Sequence, residues 1–111
     1  MREGDIILTS IPQADGQIKN RPAFLLRDMP PFQDALVCGI SSQLHQEVKG
    51  FDEVVAIDDA DFQSSGLVVE SLIRLGFLAI IPRAKILGSI GAISKERHKQ
   101  LLRNLSEYLL K

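Results

Sequence analysis

Short apolar runs recur along most of the chain and are separated by clusters of glycine, proline, aspartate and serine. Runs of this kind, bounded by turn-forming residues, are typical of β-strands. The predicted strands are Asp5 to Thr9, Ala23 to Arg27, Ala35 to Ser41, Glu53 to Ile57 and Leu67 to Leu75. Further apolar runs cover Gly76 to Ile81 and Lys85 to Ile90. The turn-forming residues predict loops at Ile11 to Asn20, Asp28 to Asp34 and Asp58 to Gly66.

The spacing of apolar residues changes near the C-terminus. After Ser94, leucines recur mostly at intervals of three and four as far as Leu110, with polar residues between them. This spacing predicts an amphipathic helix of about four turns. Ser94 is a suitable N-cap, and Glu96 places an acid in the first turn. Many strands followed by one helix predict a small, bent antiparallel sheet or barrel, covered by that helix or by a second subunit.

Composition fits one globular domain spanning residues 1–111, since 45% of the residues are hydrophobic. The single cysteine, Cys38, excludes a disulfide framework and lies in an apolar run, which predicts an inert core thiol. The chain has no apolar run long enough to cross a membrane, and Glu3 and Asp5 make its start a poor signal peptide. We therefore expect a cytoplasmic, soluble protein. A net charge of −1 argues against broad coating of nucleic acid but allows a local basic groove.

Two polar segments adjoin predicted strands. Gly16 to Pro22 leads into a strand, and the proline restricts Arg21 to an extended backbone. Its guanidinium could bind a phosphate through two hydrogen bonds, or could be an ordinary exposed strand-edge arginine. At Ile40 to Gln43 a buried strand runs into polar residues. Ser41 there could donate a hydrogen bond to phosphate or belong to a simple turn, but the chain has no G-x-S-x-G elbow for a nucleophile.

Other titratable residues give weaker signals. Asp58, Asp59 and Asp61 lack the glycine and terminal glutamate of an EF-hand loop, so we predict a solvated loop, with metal binding as the minor alternative. His45 and His98 lie far apart in the sequence and do not have the spacing of metal ligands. Both histidines are predicted to be surface residues.

Several short segments stand out when the whole chain is read in order. They are Gly4-Asp5-Ile6, Arg21-Pro22-Ala23, Ile40-Ser41-Ser42-Gln43, Ser65-Gly66-Leu67, Ser71-Leu72-Ile73-Arg74 and Ile90-Gly91-Ala92-Ile93-Ser94. In this order and spacing, the chain resembles the PemK/MazF family of toxin endoribonucleases over nearly its whole length. The resemblance implies a small SH3-like β-barrel with a C-terminal helix, mainly β with α, that assembles as a homodimer.

The resemblance also implies an activity, namely metal-independent and cofactor-free cleavage of single-stranded RNA. The RNA's own 2′-OH attacks the adjacent phosphorus and leaves a 2′,3′-cyclic phosphate, so the protein stabilises charge and moves protons. Arg21 takes the place of the family's catalytic arginine, and Ser41 that of its catalytic threonine or serine. The other residues expected to bind RNA are Gln17, Lys19, Ser42, Gln43 and Arg74.

One feature departs from the family. Several members carry a glutamate in the loop before the arginine, whereas the segment from Gly16 to Asn20 has no carboxylate here. Gln17 cannot accept a proton, Lys19 is a poor base near neutral pH, and His45 is a candidate acceptor from elsewhere. The alternative function is therefore a catalytically impaired relative that binds RNA or a protein.

The resemblance further implies a cognate antitoxin, whose flexible acidic tail would present carboxylates to Arg21. The apolar run from Phe77 to Ile81 adds a physical reason to expect a homodimer. Phe32 and Phe51 lie in predicted loops and could either stack on bases or be buried. A third hypothesis, an SH3-like interaction module without a nucleic-acid role, draws on the near-neutral charge.

Overall fold

The computed structural model describes residues 1–12 and 16–111, with only the backbone of Ile11 and Pro12. The strands are β1 (Asp5–Pro12), β2 (Ile18–Met29), β3 (Asp34–Ser41), β4 (Glu53–Val55), β5 (Ser71–Ile81) and β6 (Ile86–Ala92). The helices are α1 (Phe62–Ser65) and α2 (Lys95–Leu109), with 3-10 turns at Leu44–Gln46 and Arg83–Lys85. The expected class, mainly β with a C-terminal helix, is confirmed.

The six strands form one antiparallel sheet in the order β4-β5-β3-β2-β1-β6. Within the described ranges the edge strands β4 and β6 do not pair, so the expected barrel is wrong in one respect: the sheet is not closed. Two features of the chain account for this. β4 is only three residues long, and α1 packs against β6 so closely that a Cβ on Gly91 would overlap its backbone.

The predicted loop between the first two strands is too long. Backbone pairing extends β1 as far as Pro12 and begins β2 at Ile18, opposite each other. Gln13, Ala14 and Asp15, also part of that predicted loop, lie outside the described residues. The polar residues of β2 up to Arg21 are exposed. This part of β2 is defined by its backbone hydrogen bonds. Because its side chains are polar, a hydrophobic pattern does not predict it as a strand.

Three other predicted loops or strands differ from the structure. The second predicted loop shrinks to residues 30–33, since β2 runs to Met29 and β3 begins at Asp34. The third contains the short helix α1, which ends at Gly66 with a φ of 76°. Residues 67–70 are not in a strand, and the two apolar runs on either side of Gly76 form the single strand β5.

A bulge explains how β5 continues through Gly76. The partner of β3 shifts from Leu78, opposite Cys38, to Arg74, opposite Gly39. The three residues between Arg74 and Leu78 therefore have no counterpart in β3, and extra residues of this kind bend a strand and increase its twist. β5 therefore continues as one strand through Gly76, with a bend at this point.

The face under α2 carries the larger core. Its buried residues are Ile6, Phe24, Leu26, Cys38, Val55, Ile73, Leu75, Ile93, Leu101 and Leu105. The opposite face carries a smaller cluster of Ile7, Ala23, Leu25, Ala35, Val37 and Ile86. Burial raises the pKa of the Cys38 thiol, in keeping with the predicted inert core thiol. No helix in the described ranges is long and apolar enough to cross a membrane.

The helix α2 begins as predicted, with the Ser94 hydroxyl accepting a hydrogen bond from the backbone N–H of Arg97 at 3.2 Å. The Arg97 side chain then reaches back across the molecule. Its guanidinium donates to the carboxylates of Asp61 (2.9 Å), Asp59 (2.8 Å) and Glu53 (3.1 Å). The helix is thereby tied to α1 and β4 through a nearly buried ion-pair network.

The acidic cluster therefore does not form the solvated loop that we predicted. The side chain of Asp61 is only 8% exposed, and hydrogen bonds from Arg97 are the main reason why its pKa is lowered. Burial raises the pKa of Glu53 against the opposing effect of Arg97. No group of histidine, cysteine or acidic residues in the described ranges could hold a metal ion. The cluster is a structural anchor.

His98 differs from the predicted surface residue, whereas Phe51 follows the buried one of its two predicted alternatives. His98 is half-buried, with its Nε2 atom 2.8 Å from the carbonyl oxygen of Leu26 and its ring at right angles to that of Phe24. Phe51 packs against the core and against Tyr108, at 5.1 Å between ring centroids. Both are distant in sequence from their partners, so neither contact could be predicted from local pattern.

Candidate nucleic-acid interface

A groove of about 280 Å³ lies where β2, the end of β3 and the segment entering β5 come together. We call it the Arg21 groove. Its lining residues are Arg21, Pro22, Ile40, Ser41, Ser42, Gln43, Leu67, Val68, Val69 and Ser71. Four of the seven residues predicted for catalysis or RNA binding are among them, although β2 and β3 segments of this groove lie some twenty residues apart in sequence.

Strand register explains why Arg21 and Ser41 meet. The β2–β3 ladder ends at the pair of Ala23 with Gly39, and its antiparallel continuation brings Arg21 opposite Ser41. Residues two apart on a strand share a face, so both side chains project from the face that also carries Ala23. That face is opposite the one covered by α2. The groove is thus open to a ligand on the side without the helix.

Ser41 is oriented by the turn that follows it. Its Oγ atom accepts a hydrogen bond from the backbone N–H of Gln43 at 3.0 Å. A hydroxyl that accepts one hydrogen bond still has its own proton to donate. The half-buried Ser41 can therefore offer that proton to an anionic oxygen in the groove, beside the exposed Arg21.

The other predicted RNA-binding residues lie outside the groove. Lys19 is exposed two residues before Arg21 on β2, and so projects from the same face. Arg74 is half-buried on β5 opposite Gly39, and belongs to that face as well. Gln17 is exposed just before β2 begins. The cationic side chains thus extend along the sheet beyond the groove, where they would suit a longer anionic chain.

The described residues that line the groove include neither a carboxylate nor an imidazole that could accept a proton. None of its ten described residues is acidic or a histidine. His45 is exposed on the 3-10 turn that follows Gln43, and it does not line the groove. The described lining can therefore bind and polarise a phosphate, while a proton acceptor would have to come from outside it.

One wall of the groove was not predicted. Residues 67–70 leave α1 at Gly66, where a Cβ would overlap the carbonyl oxygen of Ile90. The Ser65 hydroxyl accepts from the backbone N–H of Leu67 at 3.1 Å, and the Ser71 hydroxyl donates to the carbonyl of Val69 at 2.9 Å. The wall is therefore held at both ends. The motifs on either side of the wall could be recognised in the sequence, but the position of the wall beside β2 and β3 could not be predicted from it.

None of the described residues that line the Arg21 groove is aromatic. Phe32 is 81% exposed in the turn at residues 30–33 and does not line the groove. Phe77 lies over Gly39, where a Cβ would come within 3.2 Å of the ring. Phe77, Leu78 and Ile80 are exposed apolar residues on β5. The apolar surface expected from this run is thus present.

The sequence matches a known protein family over nearly its whole length. The family model described as PemK-like, MazF-like toxin of type II toxin-antitoxin system matches residues 2–109. No curated protein matches the sequence. The matched region contains every residue that lines the Arg21 groove.

Proposed function

The chain belongs to the family of PemK-like, MazF-like toxins of type II toxin-antitoxin systems, and on this premise we propose that it is a metal-independent endoribonuclease acting on single-stranded RNA. The observation that carries the proposal is the convergence of Arg21, Ser41, Ser42 and Gln43 in one open groove. These residues come from two strands and the turn that follows β3, and their side chains are those that bind phosphate oxygens.

The proposed reaction uses no nucleophile from the protein. The 2′-oxygen of the RNA forms a bond to the adjacent phosphorus, the bond from phosphorus to the 5′-oxygen breaks, and a 2′,3′-cyclic phosphate remains. Arg21 stabilises the negative charge that builds up on the phosphate oxygens, and the Ser41 hydroxyl donates to one of them. The 2′-OH loses its proton and the leaving 5′-oxygen gains one.

The proton acceptor is the open part of this mechanism. Because the described groove lining has neither a carboxylate nor a histidine, the acceptor is water or a residue that reaches in from outside. We propose His45 as the residue to test, because it follows Gln43 by two positions. A His45→Gln variant should lower the cleavage rate while leaving RNA binding intact. An unchanged cleavage rate in this variant would eliminate His45.

The test of the function is cleavage of a mixed-sequence single-stranded RNA in EDTA by purified protein. Wild type should give fragments ending in cyclic phosphate, and Arg21→Ala should lower the rate by about 10²–10³-fold, as for loss of one oxyanion donor. Ser41→Ala should retain more activity than Arg21→Ala, because a neutral donor contributes less than a charged one. Arg103→Ala, an exposed arginine on α2, is the matched control and should cleave like wild type. A folded wild type without activity would refute the proposal.

A second function is favoured by the lack of a carboxylate or a histidine among the described residues that line the groove. A relative without an efficient proton acceptor would bind RNA, or an acidic protein segment, without cutting it. Binding of RNA by wild type with no cyclic-phosphate product would support this function. Failure to bind any single-stranded RNA at low salt would favour the third hypothesis, an SH3-like interaction module.

Membership of the family implies an antitoxin partner. We propose that the antitoxin places an acidic segment in the Arg21 groove, where its carboxylates replace RNA phosphates. An excess of the segment should then compete with RNA for wild type.

We also propose a homodimer that covers Phe77, Leu78 and Ile80, which are exposed in the single chain. Sedimentation at micromolar concentration that shows only monomer would contradict it.

A further inference from the structure

Within the wall formed by residues 67–70, Leu67, Val68 and Val69 line the Arg21 groove with apolar side chains, whereas Glu70 does not line it. From this we propose that Val68 packs against a nucleobase of the bound RNA and thereby acts as a positioning residue for the strand. The inference rests on the proposed function, since it assigns a role at the same site. It concerns the base, however, whereas Arg21 and Ser41 are assigned to the phosphate.

Polar and apolar side chains both line the Arg21 groove. Arg21, Ser41, Ser42 and Gln43 present polar or charged groups. Leu67, Val68 and Val69 have neither charge nor side-chain hydrogen-bonding groups, so they cannot bind phosphate. A nucleotide likewise has both kinds of surface, an anionic phosphate and a flat, weakly polar base face.

The described groove lining has no aromatic platform. Proteins that bind single strands usually stack bases on aromatic rings. None of the ten described residues that line this groove is aromatic, and Phe32, the most exposed phenylalanine, lies elsewhere. An apolar contact with a base in this groove must therefore be aliphatic.

Val68 is exposed, and the backbone on either side of it is held in place. Its exposed fraction is 90%, the highest of the large hydrophobic residues in the described ranges. The chain on either side is fixed by the hydrogen bonds of Ser65 to Leu67 and of Ser71 to Val69. A β-branched side chain has little rotamer freedom to lose on contact. Val68 thus offers preorganised apolar area to a ligand at a small entropic cost.

The experiment separates contact with the base from contact with the phosphate. The probes are a single strand of 2′-O-methyl RNA about ten nucleotides long, which lacks the attacking hydroxyl, and an abasic strand with the same number of phosphates. Binding of each probe to wild type and to Val68→Ser is measured by fluorescence anisotropy in EDTA at fixed salt. Because the side chain is exposed, the substitution should leave the fold intact, and circular dichroism checks this.

We expect Val68→Ser to weaken binding of the base-bearing strand by about fivefold, as for partial burial of one valine side chain. Binding of the abasic strand should change by less than about twofold, because Val68 then has nothing to pack against. Val68→Phe should bind the base-bearing strand more tightly than wild type. Val48→Ser is the matched control, because Val48 is also exposed but lines a different groove beside α2.

Each other outcome has a definite meaning. Equal weakening of both probes by Val68→Ser would overturn the inference, because the valine would then act through the phosphate side or through the wall itself. Unchanged binding of both probes would overturn it as well. If folded wild type binds neither probe nor RNA, the proposed function fails and the inference fails with it, whereas a normal wild type limits the failure to Val68.

Discussion

Replacing Arg97 tests whether the ion-pair network holds α2 on the sheet. The side chain is 13% exposed and donates to three carboxylates and to the carbonyl oxygen of Val54. Arg97→Met retains most of the apolar stem but removes every one of these hydrogen bonds. It leaves Asp61, whose side chain is 8% exposed, as a buried carboxylate without its cation. Stability, and not only activity, should therefore respond.

The magnitude follows from the burial of the partners. Removing one member of a buried pair costs about 3–5 kcal/mol, because the other charge stays buried. Glu53 and Asp59 are partly exposed and can regain water, so their share is small. We therefore expect a loss of about 3 kcal/mol, a large part of the stability of a small domain. At about 4–8 °C per kcal/mol, Tm should fall by roughly 12–24 °C.

The assay is reversible urea unfolding followed by circular dichroism, together with a thermal scan. Arg103→Met on the exposed side of α2 is the control and should change the free energy of unfolding by less than about 0.5 kcal/mol. Adding Asp61→Asn to Arg97→Met should restore part of the loss, because it removes the stranded charge. A loss below about 1 kcal/mol for Arg97→Met would refute the view that this network anchors the helix.

Four further outcomes are expected. The pKa of Asp61 is lower in the folded protein than its ordinary value, so the stability contributed by its carboxylate is complete at a pH above that ordinary value. This stability is lost as the pH falls through the lowered pKa, and the urea midpoint should therefore decrease below about pH 4. The raised pKa of Glu53 has the opposite effect, because ionisation of this side chain lowers the stability as the pH rises above about 4.5. The Glu53→Gln variant does not ionise at this position and should lose less stability over the same pH range. Gly66→Ala should destabilise by more than about 2 kcal/mol, whereas Gly50→Ala, also at positive φ but in open space, should cost about 1 kcal/mol, both measured by urea unfolding. The buried thiol of Cys38 should react with a thiol reagent only as fast as the chain opens, and a fast reaction in native buffer would contradict its position in the core.

Several strands and the C-terminal helix could be predicted from hydrophobic pattern alone. The capping role of Ser94 and the buried Leu101 and Leu105 agree with the predicted amphipathic helix. These features depend on neighbouring residues, since a helix or a strand repeats within a few positions. The error at Gly76 has the same origin, because a bulge depends on the partner strand, which no local window contains.

The candidate site also contains residues that could be predicted from the sequence and residues whose place depends on tertiary contacts. Arg21 and Ser41 could be singled out from residue type and from the resemblance, and adjacent strands of the sheet bring them together. The apolar wall at Val68 could not be found in this way, because its place in the groove depends on where α1 lies against β6. Lys19 and Arg74 proved to lie beyond the groove because their register positions, and not their charge, decide where they project.

Local order in the amino-acid sequence was sufficient for the class of fold, the helix with its cap and the polar residues that suit a phosphate. Tertiary structure alone decided that the sheet stays open, that Arg97 joins three carboxylates and that an apolar wall lines the same groove as Arg21. The physical reason is the range of the interactions. Backbone periodicity and capping act within one or two turns, whereas the ion pairs of Arg97 join residues 36 to 44 positions apart and exist only after the chain has folded.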